Sequence, residues 1–402
     1  MGIEFKGTVM DVVILSAVRT AIGDFGGALK TVAPIALGVA TAEVAIERSG
    51  LEKQAFDYSC YGNVLHTEPK DMYLSRAISI GAGLSVHAPS LTLNRLCGSG
   101  LQAIISGIQS IALKDSSLAL CGGSESMSRA GYLIPSNRWG QKMGDAQVVD
   151  MMLGVLNDPF GHGHMGVTAE NVAEKYSISR EKQDEFALES HRRAASAINS
   201  GKFKEQIVPI EINTKGHARV FDVDEHVRDD ISISDLENLR TVFKKDGTVT
   251  AGNASGINDG AASLVLMDAK RAEKQNLSPM ARVLSYAVAG VEPKLMGIGP
   301  VPAMQRALEI ARININDLDI IESNEAFAAQ ACAVSEQLGA DPKKINPNGG
   351  AIALGHPIGA SGAIITTKLL YELKLSGKKY GAATMCIGGG QGIALLIENL
   401  LV

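Results

Sequence analysis

Asn346-Pro347-Asn348-Gly349-Gly350-Ala351-Ile352-Ala353-Leu354-Gly355-His356-Pro357-Ile358-Gly359-Ala360-Ser361-Gly362 reads as a glycine-rich turn opening a helix that is apolar on most faces. One helix length later an apolar strand, Ala383-Thr384-Met385-Cys386-Ile387-Gly388, runs into further glycines at Gly389, Gly390 and Gly392. The same pattern occurs upstream: Asn94-Arg95-Leu96-Cys97-Gly98-Ser99-Gly100 opens an apolar helix, and Leu118-Ala119-Leu120-Cys121-Gly122-Gly123 is the strand after it. Working outward, Val12-Val13-Ile14-Leu15-Ser16-Ala17 matches Ala281-Arg282-Val283-Leu284-Ser285-Tyr286, and each is followed by a stretch with apolar positions three and four apart, around Gly38 to Ser49 and Pro302 to Ala311. The chain is therefore read as two similar α/β halves. Helices apolar enough to be buried predict mostly parallel, covered sheets, two of them stacked with helices between.

Between Met127 and Thr250 charge rises and the strand-helix rhythm is lost, and Gly260-Ala261-Ala262-Ser263-Leu264-Val265-Leu266-Met267 then reads as a strand returning to the first half. The expected division is residues 1-126 plus 251-278 for the first half, an inserted loop domain over 127-250, and 279-402 for the second half.

The 402 residues, 46% hydrophobic and 20% charged, supply ample core material for a soluble protein. A net charge of -5 without a Lys/Arg run interleaved with aromatics argues against a nucleic-acid partner. The start lacks a cationic and apolar signal pattern, and no stretch approaches a membrane span, so a cytoplasmic location is expected, with residues 1–9 read as an extension. Cys60, Cys97, Cys121, Cys332 and Cys386 are widely spaced and form no C-x-x-C, which suits a reducing compartment and not zinc. Gly161-His162-Gly163-His164-Met165-Gly166 formally fits the dinucleotide pattern, but Asn157-Asp158-Pro159-Phe160 precedes it where a buried strand should stand. His162 and His164 lack a further ligand at suitable spacing, and no metal is expected.

On residue chemistry alone, several readings stay open. Cys97, followed by glycines and a helix N-terminus, is either an activated nucleophile or a small buried residue. His356, fixed between Gly355 and Pro357, is a base for that thiol or a structural histidine. Cys386 stands where bare glycine backbone can aim amide N–H groups at an oxyanion, and Asn324 offers an amide for the same purpose or a helix cap.

These motifs, together with Gly123-Ser124-Glu125-Ser126-Met127-Ser128, His164-Met165-Gly166-Val167-Thr168-Ala169-Glu170-Asn171, Thr250-Ala251-Gly252-Asn253-Ala254-Ser255-Gly256 and Asn324-Glu325-Ala326-Phe327, resemble the thiolase family nearly end to end. Glu68-Pro69-Lys70-Asp71-Met72-Tyr73 and Arg138-Trp139-Gly140 look most like bacterial β-ketothiolases that accept more than acetoacetyl-CoA. The resemblance implies a five-layered α-β-α-β-α fold. It also implies a ping-pong reaction of acetyl-CoA with an acyl-CoA, or thiolysis of a 3-ketoacyl-CoA, through an acyl group on Cys97. His356 would serve as the base and Cys386 as the α-carbon acid/base, with oxyanions held by Asn324 through a water, by His356, and by the N–H groups of Cys97 and Gly388. His164, Met165, Ser255 and Arg228 would contact CoA, and Leu156, Met296 and Phe327 would wall the acyl pocket. CoA thioesters are substrates and no cofactor is implied; the assembly implied is a homotetramer. Ser323 replaces an alanine common in relatives. A papain-like hydrolase would need no Cys386, a related ketoacyl synthase typically uses two histidines with one cysteine, and a non-catalytic acyl-CoA carrier would not need all four reactive side chains.

Overall fold

The computed structural model describes residues 11–214 and 217–401; the extension read at residues 1–9 lies outside the described residues. Strands β1 (Val12–Thr20), β2 (Tyr58–Gly62), β3 (Ser90–Leu93), β4 (Leu118–Ser126) and β5 (Asn258–Asp268) lie in the order β3-β2-β4-β5-β1. Strands β6 (Ala281–Gly290), β7 (Ile320–Ser323), β8 (Tyr380–Ile387) and β9 (Gln391–Asn399) continue it as β6-β9-β8-β7. Counted outward from the junction, β1-β5-β4-β2 answers β6-β9-β8-β7, so the duplication is visible as strand order.

Two expectations about the sheets are corrected. The halves are not separate sheets: Val13 pairs with Arg282 and Ile14 with Ala281, joining β1 to β6. Pairing is mixed, being parallel for β2 with β3 and β4 and for β7 with β8, but antiparallel wherever β5 or β9 meets a long strand. The cause is connectivity. The turn from β8 to β9, with Gly389 and Gly390 at φ +80° and +86°, is too short for a crossover, and β5 arrives from the insertion instead of from a crossover helix.

Helix α1 (Pro34–Ser49) starts on a proline, ends at Gly50 in a left-handed conformation, and covers the outer face of the first half. Helix α2 (Ser99–Ala112) packs between the halves; α3 (Met165–Tyr176) and α4 (Arg180–Asn199) belong to the insertion; α5 (Pro300–Ala311) covers the outer face of the second half, with α6 (Ala328–Leu338) beside it. Helix α7 (Ser361–Ser376) is buried at every residue from Ser361 to Leu373 and lies against α2, completing the α-β-α-β-α layering. The N-termini of α2 and α7 meet on glycine: a Cβ at Gly362 would lie 2.2 Å from the backbone nitrogen of Leu101, and one at Gly100 would lie 2.8 Å from that of Ala363. The turns carrying Cys97 and His356 are thereby brought face to face.

The insertion is tied to the first half by Ile207 and Val208, which pair with Arg19 and Thr20, and by the buried Arg19 guanidinium, which grips Asp224 at 2.7 and 2.9 Å. Among the described residues no helix is long and apolar enough to cross a membrane.

Candidate active site

A cavity of about 520 Å³ opens where the two central helix N-termini meet the insertion. Cys97, Cys386, Gly388 and His356 line it, as do His164, Met165, Leu156, Ser255, Arg228, Met296 and Phe327.

Cys97 sits two residues before α2. The residue that bends the chain is Leu96, at φ +47°, and not the glycines that follow. This left-handed turn is held by Ser99, whose N–H and hydroxyl both donate to the Leu96 carbonyl at 2.9 and 2.6 Å. Gly98 is required for another reason, since a Cβ there would come within 2.5 Å of the Ile387 side chain. Burial pushes the Cys97 thiol up, partly offset by the N–H groups of Gly388 and of Cys97 itself.

His356 is 5% exposed, and burial lowers its pKa to about 4, so the imidazole is neutral near pH 7. Its tautomer follows from its neighbours. The Ser361 hydroxyl donates to the Pro357 carbonyl at 2.9 Å, so it accepts from Nδ1–H of His356 at 2.6 Å. Nε2 keeps its lone pair and has no protein partner, the state a general base needs. The backbone N–H of His356 donates to Asn258 Oδ1 at 2.8 Å, a role not read from the sequence.

Cys386 ends β8 and is 1% exposed; burial first, then the neighbouring Cys97, raise its pKa and keep the thiol protonated. Cys121, its counterpart in the first half, is fully buried beside Cys60 in the core. Asn324 does not line the main cavity. Its amide faces a small space behind the His356 turn, shared with Gly355 and Ser361, and both side-chain atoms lack a protein partner.

Toward the insertion, His164 caps α3, its Nδ1 accepting from the Gly166 N–H at 3.1 Å, and its ring stacks on Phe243 with centroids 4.7 Å apart. Phe243 in turn meets the Phe327 ring edge-on at 6.3 Å. Sequence reading missed Phe243; its signal was a lone aromatic before Lys244 and Lys245. The Ser255 N–H donates to the Ala326 carbonyl at 3.0 Å, docking the Thr250–Gly256 motif on the Asn324–Phe327 motif. At the mouth stand Asp24, His226 and the exposed Arg228. The hydrogen bond from His226 holds the Asp24 carboxyl below its ordinary range.

A half-buried thiol that shares its cavity with a neutral imidazole bearing a free Nε2, a second, protonated thiol and convergent N–H groups form a site suited to acyl transfer. Profiles of the thiolase N-terminal and C-terminal domains match residues 12–270 and 277–399. The β-ketothiolase BktB of Cupriavidus necator is 58% identical over 391 residues, 97% of this chain and 99% of that protein. The acetyl-CoA acetyltransferase of Bacillus anthracis superposes with a TM-score of 0.95 at 46% identity, over 98% of this chain and 100% of that one. Human mitochondrial 3-ketoacyl-CoA thiolase in complex with CoA does so with a TM-score of 0.93 at 43% identity, over 96% and 98% of the two chains. The chain belongs to the thiolase family and is an acyltransferase of that family.

Proposed function

We propose that the protein condenses acetyl-CoA with an acyl-CoA, and cleaves 3-ketoacyl-CoA with CoA, through an acyl-Cys97 intermediate. The observation that carries this is the meeting of Cys97, Cys386 and the free Nε2 of His356 in one cavity. As a thioester docks, Nε2 takes the Cys97 proton, the sulfur bonds to the carbonyl carbon, and the carbon–sulfur bond to CoA breaks, the departing sulfur taking the proton from His356. The neutral His356 then takes the Cys386 proton, the resulting thiolate removes a proton from the α-carbon of acetyl-CoA, and that carbon bonds to the acyl carbon as the Cys97 sulfur leaves and takes the proton back from His356. The N–H groups of Cys97 and Gly388 hold the acyl oxyanion; His356, with Asn324 acting at one remove through a water, holds the enolate oxygen.

His164, Met165 and Ser255 flank the pantetheine, and exposed Arg228 meets phosphate at the mouth. Leu96, Met127, Leu156, Met296, Phe327 and Ile358 give the acyl end an apolar wall. That wall and the likeness to a β-ketothiolase support acceptance of C5 as well as C4 ketoacyl chains. Exposed Trp139 and Met143 in the insertion, 86% and 91% accessible, support a homotetramer whose contacts lie in residues 127-250. The five free cysteines support a cytoplasmic setting.

Thiolysis of acetoacetyl-CoA and 3-ketovaleryl-CoA, with mass spectrometry of the acetyl-CoA-treated protein, tests the reading. Wild type should cleave both substrates, and Cys386→Ser should acetylate at Cys97 yet form no carbon–carbon bond. Absence of acetyl-Cys97 in wild type would remove the mechanism.

A further inference from the structure

The nucleophile and the base sit on different halves of the duplication, and two buried side chains of the first half hold the turn that carries His356. Glu125, near the end of β4 and fully buried, accepts from the N–H of Gly359 at 2.9 Å. The same carboxylate accepts from the N–H groups of Val64 and Leu65 at 3.0 and 3.1 Å and from Asn63 Nδ2 at 3.0 Å. Asn258, the first residue of β5, accepts from the His356 N–H at 2.8 Å and donates to the Gly23 carbonyl and to Asp24 at 3.2 Å.

The approach is close enough to require bare backbone. A Cβ on Gly359 would lie 2.3 Å from a Glu125 oxygen, one on Gly355 would lie 2.5 Å from Asn258 Cγ, and one on Gly123 would lie 2.3 Å from the Gly359 carbonyl oxygen. Burial pushes the Glu125 carboxyl up to about 8, offset in part by the N–H groups of Leu65, Val64 and Gly359, and such a group is costly to bury unless its oxygens are satisfied. Here the donors come from the first half and from the His356 turn together, so Glu125 is a cross-half tie.

We propose that Glu125 is a positioning residue for the reaction: its carboxyl group, with Asn258 as the second tie, seats the His356 turn where Nε2 can take the Cys97 proton. The proposal rests on His356 acting as the base for Cys97. It is tested by the pH profile of Cys97 alkylation with iodoacetamide, located by peptide mass mapping, in wild type, Glu125→Gln, Asn258→Ala and His356→Ala. In Glu125→Gln an amide NH₂ replaces an acceptor and faces N–H donors. Alkylation at pH 7 should slow about tenfold to a hundredfold, the scale expected of a small misplacement of catalytic groups. The rate should rejoin wild type at alkaline pH, where the thiol ionises unaided, with KM for CoA thioesters unchanged. Asn258→Ala should show the same pattern and keeps the test decidable where Glu125→Gln fails to fold. If His356→Ala slows alkylation while both other variants keep the wild-type profile, the positioning role is overturned. A uniform loss at every pH with KM raised in step would overturn it as well. If His356→Ala itself keeps the wild-type profile, the base assignment fails, and the proposal with it.

Discussion

Nδ1 of His356 lies 2.6 Å from the hydroxyl oxygen of Ser361, and that hydroxyl is already committed as a donor to the Pro357 carbonyl at 2.9 Å. The proton of the neutral ring is thereby assigned to Nδ1. Ser361→Ala removes the partner and leaves a buried N–H unsatisfied, which costs about 1–3 kcal/mol. With the tautomer no longer held, kcat should drop at least about tenfold while KM changes little. Steady-state thiolysis is the measurement, and an unchanged kcat would count against the tautomer argument.

Burial lowers the pKa of both His356 and His191 to about 4. The unfolded chain binds protons at these positions near the ordinary histidine pKa of about 6.5, whereas the folded chain does not until pH approaches 4. Folding stability is therefore complete above about pH 6.5 and falls as pH drops toward 4, by roughly 3 kcal/mol for each histidine. Urea unfolding of wild type and His356→Asn from pH 7.5 to 4.5 should show a shallower loss in the variant. Parallel curves would mean that His356 titrates normally in the fold.

The contact between α2 and α7 leaves no room for a methyl at Gly362, where a Cβ would sit 2.2 Å from the Leu101 nitrogen. Gly362→Ala should destabilise by about 1–3 kcal/mol through overpacking. Separating the two helix N-termini should also reduce activity in the protein that remains folded. Denaturation midpoints and kcat on the same preparation check both; a variant with wild-type stability would show that the helices can slide apart at no cost.

Arg228 is exposed at the cavity mouth, where its guanidinium makes no ion pair among the described residues. Arg228→Ala should raise KM for CoA thioesters about three- to tenfold with kcat nearly unchanged, and the difference from wild type should shrink in high salt. A loss confined to kcat would move Arg228 from binding to chemistry.

Phe243→Ala removes the ring stacked on His164 and met edge-on by Phe327. Loosening that wall should raise KM more than it lowers kcat. Equal kinetics in the variant would mean that His164 is held by its Gly166 hydrogen bond alone.

Eleven of the twelve candidate site residues line one cavity: Cys97, His356, Cys386 and Gly388 stand in turns that local chemistry marks with glycine, proline and a reactive side chain, whereas the CoA and acyl-wall residues came from the family resemblance. Asn324 was legible as an amide near the site, yet which cavity it faces depends on how the β7 end packs against the Gly355 turn. Mostly parallel sheets were expected from strand–helix alternation, but periodicity says nothing of direction once a tight turn or an insertion replaces the crossover helix.

By itself the sequence marked two similar α/β halves, an expected insertion between them and the candidate side chains, because these readings follow from periodicity and turn chemistry along the chain and from the family resemblance. Tertiary structure decided the junction of β1 with β6, the upward shift of the Cys97 thiol, the neutrality of His356, and the ties made by Glu125 and Asn258 across the halves. Pairing across the halves, desolvation and hydrogen bonds between residues far apart in the chain arise only when distant segments meet, and none has a local signature.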